Sequence, residues 1–256
     1  MRITVLGSRG SMPTADPAMA GFGGATSCYC VQAQGQTVFL DAGTGLMSAA
    51  CGEGPISILL SHTHVDHILG LPLFPALLQP GREIHIYGKT REGLTVEQQL
   101  ARLISRPLWP LRLEEFPARA VCHELSLPLT LGGITVEGME ACHPGGSTVL
   151  KLTAGGCSLV YATDFEHSEE KCAELASFAK GASLLLYDGQ YTEDEYAARR
   201  GFGHSTPAMG LRVRRESGAG RLLLIHHDPK HTDAMLRETE ERLGVRFARE
   251  GDVVTL

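Results

Sequence analysis

The strongest constraint on this chain is an apolar run that leads directly into a cluster of metal-ligating side chains. Ile56 to Leu60 reads as a strand covered on both faces, and His62-Thr63-His64-Val65-Asp66-His67 follows it at once. While the backbone stays extended, His62 and His64 point the same way, because side chains on a strand alternate with a period of two. Two imidazoles so placed can chelate one metal ion. Asp66 and His67 come where the chain turns towards the next helix, and they can face a second ion. This differs from the helical pattern in which two histidines sit four residues apart. Imidazole together with carboxylate suits Zn²⁺, with Mn²⁺, Fe²⁺ or Co²⁺ as alternatives.

Two ions need more ligands than this run supplies, and the chain offers them where other apolar strands end. His143 follows Ile134 to Ala141, Asp164 follows Ser158 to Ala162, and His226 follows Leu222 to Ile225. Ligands on rigid strand ends can converge on one edge of a sheet, so these three are the natural completions. His226 and His227 are adjacent, which leaves the last ligand open between them. The position directly after the strand favours His226 and leaves His227 a supporting or structural part.

The rest of the chain alternates short strands with helices. Ile3–Leu6, Tyr29–Ala33, Thr37–Leu40, Ile84–Tyr87, Val121–Leu125, Val149–Ala154 and Leu184–Tyr187 read as further strands. Leu71–Leu78, Val96–Ser105, Glu169–Lys180, Thr206–Glu216 after a Ser205 cap, and Asp233–Leu243 after a Thr232 cap read as helices. Pro107–Pro117 reads as an irregular loop. No linker or repeat divides the 256 residues, so a layered α/β architecture in one domain, 1–256, is expected. A chain of this length buries a sizeable core unaided, so a metal here is expected to be functional rather than a folding staple.

Taken together, Asp41-Ala42-Gly43, the run from His62 to His67, His143, Asp164 and His226 resemble the motifs of the metallo-β-lactamase-fold hydrolases across nearly the whole chain. The resemblance implies an αββα sandwich of two mixed sheets flanked by helices, with two divalent ions at its open edge. It implies that His62, His64 and His143 hold one ion, that Asp66, His67 and His226 hold the other, and that Asp164 bridges them. Asp41 would orient a ligand histidine and fix its tautomer. The flavodiiron branch of the fold carries a carboxylate at the position of His64, so an all-imidazole first site fits hydrolysis better than oxygen chemistry.

Gly203-His204-Ser205-Thr206, ahead of a helix, is similar to the His-Ser-Thr element of the ribonuclease Z-like phosphodiesterases. In that branch the histidine contacts the scissile phosphate, and an imidazole there can donate to developing negative charge. Asp66 and His204 are therefore the candidate catalytic residues. Gly7-Ser8-Arg9-Gly10-Ser11-Met12-Pro13 also resembles the branch, and Arg9 is a candidate phosphate ligand. Tyr187 to Thr192 reads either as pocket lining or as a strand-exit turn.

Charge narrows the substrate. The formal net charge is −6, and no Gly/Pro-rich basic insertion of the kind that grips transfer RNA is present. A small phosphodiester, such as a cyclic nucleotide or a nucleotide fragment, is expected ahead of a nucleic acid. Ester, lactone or thioester hydrolysis, RNA processing and a non-catalytic metal sensor are the alternatives, since fold does not fix substrate. Seven cysteines with no secretory pattern ahead of them are expected as free thiols in a reducing cytoplasm. Cys28 and Cys30, although on one strand face, are expected to be buried and inert. No apolar run reaches the length of a membrane span. Related phosphodiesterases are often dimers, which is the basis for expecting a homodimer.

Overall fold

The computed structural model describes residues 1–256. Six strands build most of the first sheet: β1 (Arg2–Gly7), β2 (Cys28–Ala33), β3 (Gln36–Leu40), β4 (Ile56–Leu59), β5 (Glu83–Gly88) and β6 (Arg119–Glu124). The second sheet is made of β7 (Leu129–Leu131), β8 (Ile134–Ala141), β9 (Ser147–Ala154), β10 (Cys157–Ala162), β11 (Leu184–Asp188) and β12 (Arg221–Ile225). A last short strand, β13 (Val253–Thr255), returns to the first sheet. The orders are β13-β1-β2-β3-β4-β5-β6 and β12-β11-β10-β9-β8-β7. Each sheet begins with antiparallel pairs and passes to parallel ones, at β3–β4 in the first and at β10–β11 in the second. The two halves thus repeat one plan, and the αββα sandwich expected from the motifs is the observed architecture.

The period of two explains how the layers stack. In β10, Leu159 and Tyr161 lie between the sheets, whereas Val160 and Ala162 face the outer helices. In β11, Leu184 and Leu186 face inward, and Leu185 and Tyr187 outward. Both faces are buried, which is why these strands read as unbroken apolar runs. Helices α3 (Glu169–Phe178), α5 (Pro207–Ser217) and α6 (Asp233–Leu243) flank the second sheet, with Cys172, Leu175, Val213 and Leu236 in that outer layer of core. Helix α2 (Val96–Ala101) and the segment Leu71–Leu78 cover the first sheet through Val96, Leu100, Leu71 and Leu77.

Several local expectations are corrected. Leu71–Leu78 is two 3-10 turns, Leu71–Leu73 and Pro75–Leu78, rather than one helix. Phe74 separates them with φ −64° and ψ 119°, since the ring of Pro75 pushes the residue before it out of the helical region. Helix α2 ends at Ala101, short of Ser105. The cap of α5 is Thr206, whose hydroxyl accepts from the Met209 amide, with Pro207 in the first turn. Ser205 instead places its hydroxyl 2.7 Å from that of Tyr187. One helix was not anticipated, α4 (Glu193–Ala198), although Thr192 and Glu195 form the reciprocal capping box that marks such a start. No helix is long and apolar enough to cross a membrane.

Parallel strands all point their carboxyl ends to one edge of the sandwich. Ligand sites of α/β sheets form at that edge, and here β3, β4, β10, β11 and β12 deliver Asp41, His62, Asp164, Asp188 and His226 to it.

Candidate metal centre

The run after β4 behaves as its residues dictate. His62 follows the end of β4, and His64 is extended with φ −61° and ψ 155°. It immediately precedes the short helix α1 (Val65–Ile68), which carries Asp66 and His67. Two groups of donors result. One is His62, His64, His143 and Asp164; the other is Asp66, His67 and His226, with Asp164 and His204 adjoining His226. Asp164 stands between them. Its Oδ1 is 3.7 Å from His62 Nε2 and 3.6 Å from His143 Nε2, while its Oδ2 is 3.0 Å from His67 Nε2 and 3.4 Å from His226 Nε2.

The donor set fits divalent cations. Bonds of 2.0–2.1 Å in a tetrahedron put neighbouring ligand atoms about 3.3 Å apart. Observed separations reach that value from just below: 3.0 Å for His64 Nδ1 to His143 Nε2, 3.1 Å for His226 Nε2 to Asp66 Oδ2, and 3.3 Å for His67 Nε2 to Asp66 Oδ2. The Nε2 atoms of His62 and His67 are buried and make no hydrogen bond, although carboxylate oxygens lie close. Buried polar nitrogens without partners are rare and unfavourable, and a cation would satisfy both.

Four of the donor rings, those of His62, His67, His143 and His226, are fixed from behind. His67 Nδ1 donates to Asp41 Oδ2 at 2.7 Å, His143 Nδ1 to the Gly203 carbonyl at 3.0 Å, and His226 Nδ1 to Gln190 Oε1 at 2.7 Å. These bonds place the proton on Nδ1 and leave the Nε2 lone pair for a cation. Asp41 also accepts from the Ser61 amide, the Ser61 hydroxyl and the Tyr161 hydroxyl at 2.7–2.8 Å. The Ser61 hydroxyl, donating to Asp41, accepts from His62 Nδ1 at 3.0 Å. Asp66 Oδ2 receives the Ser11 amide at 2.7 Å. His204 Nδ1 donates to Asp188 Oδ2 at 2.9 Å, and its ring stacks on that of His226 with centroids 4.9 Å apart.

Burial and close charges shape the titration of these groups. Burial opposes ionisation of Asp66, but His67 and His226 outweigh it and hold that carboxyl far below the usual range. Asp164 is likewise held low, by His226, His67 and His62. Burial also opposes protonation of His67 and His226, yet the surrounding carboxylates win and raise both, His226 to about 9. His62 goes the other way, because burial and the neighbouring His67 disfavour its charge. The carboxylates of Asp66 and Asp164 and the imidazoles of His67 and His226 thus favour one another's charged forms.

Backbone strain gathers at the same edge. Asp41, Asp164 and His226 have φ of 59°, 51° and 62°, a left-handed conformation that non-glycine residues adopt at an expense of about 1–3 kcal/mol each. Two glycines are required by close approach. A Cβ on Gly203 would lie 2.0 Å from His143 Nδ1, and one on Gly10 would lie 2.4 Å from His226 Nδ1.

Two expected site residues are placed elsewhere. Arg9 is fully buried, and its guanidinium donates to the carbonyls of Gly23, Asp228 and His231 at 2.7–3.1 Å. It ties loops together and is not presented to a phosphate. His227 points away from the donor groups: its Nε2 donates to the Ala248 carbonyl at 2.7 Å, and its ring packs edge-on against Phe22 and Phe247. Burial in that apolar setting lowers its pKa to about 3. His226 is the one of the pair that joins the cluster. Residues not singled out from the sequence also converge here: Asp188, Gln190, Ser11 and Tyr161. The first two lie in the Tyr187–Thr192 segment, which lines the donor cluster as it leaves β11, and Ser11 lies in the Gly7–Pro13 segment.

The family model for the beta-lactamase superfamily domain matches residues 36–227, which contain most of this edge. The chain belongs to the beta-lactamase superfamily. Within it, the chain is 26% identical over 230 residues to the probable metallo-hydrolase YhfI of Bacillus subtilis, covering 88% of this chain and 86% of the relative. The crystal structure of YhfI superposes with a TM-score of 0.75 and 23% identity over 99% of both chains. Ribonuclease Z of Methanosarcina acetivorans is 25% identical over 284 aligned positions, 91% of this chain and 89% of the relative. A diphosphatase from the PhnP family shares the fold at a TM-score of 0.72 and 19% identity, covering 100% and 97% of the two chains. Superfamily membership agrees with the motif reading and with the two-sheet sandwich.

Proposed function

We propose that this superfamily member is a metallo-hydrolase with two divalent ions that cleaves small phosphodiesters, the whole chain, 1–256, acting as one catalytic unit. His62, His64 and His143 would hold one ion, Asp66, His67 and His226 the other, and Asp164 would offer one oxygen to each. The donor chemistry favours zinc, with manganese or iron as alternatives. Divalent cations bound there supply Lewis acidity towards phosphoryl oxygens and bring the pKa of water to about 7.

The observation that carries the phosphodiester reading is His204, which has its Nδ1 anchored on Asp188 and its ring against His226. An imidazole tied through Nδ1 keeps Nε2 for a substrate atom. In the protonated state it donates from Nε2 to the oxygen that leaves phosphorus, and the Asp188 carboxylate faces the positive ring. Water adds to phosphorus and loses one proton to solvent, the bond to the leaving oxygen breaks, and that oxygen takes the His204 proton. Asp66 supports the reaction as a carboxylate pinned by the Ser11 amide beside His67 and His226.

The ribonuclease Z relatives favour a second reading, cleavage of RNA; the net charge of −6 weighs against a polyanion as the main substrate. All seven cysteines are free, which suits a reducing compartment such as the cytoplasm.

The test is turnover of bis(p-nitrophenyl) phosphate by protein loaded with Zn²⁺ or Mn²⁺, with metal content measured alongside. Two equivalents of metal and turnover that falls sharply in His204→Ala are expected. Two bound metals with no diester turnover would move the reading to ester, lactone or thioester substrates.

A further inference from the structure

A groove of about 380 Å³ opens directly beside the first donor group, with His62 and His64 among its lining residues. That is the size of a site for one small organic group. One wall is apolar: Val65, Ile68, Leu94, Leu103 and Leu108. Val65 is 50% exposed and Leu108 68% exposed, so this apolar surface faces solvent at the mouth of a polar centre. Two guanidiniums share the lining. Arg91 is pinned, donating to Glu140 at 3.0 Å and to Thr148 at 2.8 Å, with Gly146 in close contact because a Cβ there would lie 2.1 Å from the guanidinium. Arg102 stands exposed on the rim.

This wall is built into the metal loop. Gln99 of α2 is buried, and its amide group donates to the carbonyls of Lys89 and Leu94 at 2.8–2.9 Å. Its carbonyl oxygen accepts from the hydroxyl of Thr63 at 2.6 Å. Thr63 sits between His62 and His64, so one satisfied side chain fixes the groove relative to the donors. The reciprocal cap of Thr95 and Gln98 holds the start of the same helix.

We infer that this groove binds the arm of the phosphodiester that stays on phosphorus, and that it selects an apolar ring. The inference rests on the phosphodiester reading above. Continuity with His62 and His64 puts the groove's contents next to the reacting phosphorus. The leucines cover the faces of a ring, and Arg102 can stack its planar guanidinium over it. A nucleobase and a simple aryl group share this chemistry, whereas a small alkyl arm leaves the leucines wet.

The experiment compares three diesters that all release p-nitrophenolate: thymidine 5′-(p-nitrophenyl) phosphate, bis(p-nitrophenyl) phosphate and methyl p-nitrophenyl phosphate. The metal-loaded wild type is set against L108D and R102E, both at exposed positions and each checked by thermal melting. The expected result is a ring-to-methyl ratio of kcat/KM that falls roughly tenfold in each variant, mainly through KM. Loss confined to the thymidine ester identifies a nucleoside arm, and loss confined to the bis-aryl ester identifies an aryl arm. Unchanged ratios, or a wild type with no ring preference, overturn the inference while leaving the phosphodiester reading intact. Calorimetric binding of thymidine 5′-monophosphate and phenyl phosphate separates the two ideas if no diester turns over. Binding weakened about tenfold in the variants then keeps the groove assignment and removes the reaction, and equal binding removes both.

Discussion

His204 Nδ1 lies 2.9 Å from Asp188 Oδ2, and the same carboxylate oxygen accepts the Asp164 amide at 3.0 Å. One buried side chain therefore orients the proposed proton donor and the strained residue between the two donor groups. Asp188→Asn keeps the size and removes the charge. It is expected to lower kcat by roughly 100-fold with a small change in KM, the scale of general acid catalysis. Steady-state kinetics on an activated diester measure the split; a loss carried by KM would place Asp188 in substrate binding instead.

A proton donor matters most when the leaving group is poor. In His204→Ala the loss should be larger for a phenyl ester than for a p-nitrophenyl ester, since p-nitrophenolate, the weaker base, gains less from a proton than phenolate does. Equal losses for both leaving groups would contradict proton donation by His204.

Gly203 carries no side chain because His143 occupies the space, and its φ is +88°. Gly203→Ala combines a clash with backbone strain and should displace His143. The expected result is loss of about one equivalent of bound metal and destabilisation of about 1–3 kcal/mol. Metal analysis and a denaturant titration check both parts.

Arg9 satisfies carbonyls from Gly23, Asp228 and His231 while fully buried. Truncating it leaves the Gly23 and His231 carbonyls without donors, each worth about 1–3 kcal/mol. Arg9→Ala should therefore lower the melting temperature strongly, and whatever folded protein remains should keep a near-normal KM. A raised KM at unchanged stability would restore Arg9 as a phosphate ligand.

Metal removal should lower stability, because a ligand that binds only the folded state stabilises it by about 2.7 kcal/mol at 100 times its Kd. Melting curves before and after chelation, and after Zn²⁺ is restored, report the shift. No recovery on adding metal would mean that chelation harms the protein by another route.

Thiol reactivity separates the cysteines. Cys142 is exposed, whereas Cys28, Cys30 and Cys172 are buried. Burial raises Cys30 and Cys172 to about 11 and Cys122 to about 12, so at pH 8 these thiols are almost wholly protonated and poor nucleophiles. A thiol-titrating disulfide reagent should find Cys142 first in native protein, the partly exposed Cys51 and Cys157 more slowly, and all seven after unfolding.

Local physics made much of this protein legible in its sequence. Strands buried on both faces write themselves as apolar runs, and His62, Asp164 and His226 follow within three residues of the ends of β4, β10 and β12. The spacing of His62, His64, Asp66 and His67 needed only the change from extended chain to helix at Val65. What the sequence could not decide is set by contacts between distant segments. Asp188, Gln190, Ser11 and Tyr161 reach the centre from three separate stretches of chain, and none carries a spacing that announces it. The position directly after β12 favours His226 over His227, and only the fold shows His227 packed against Phe22 and Phe247 while His226 Nε2 meets Asp66. Arg9 shows the same limit from the other side. Its charge suggests an anion, but folding surrounds it with the backbone carbonyls of Gly23, Asp228 and His231, and that tertiary environment fixes its role.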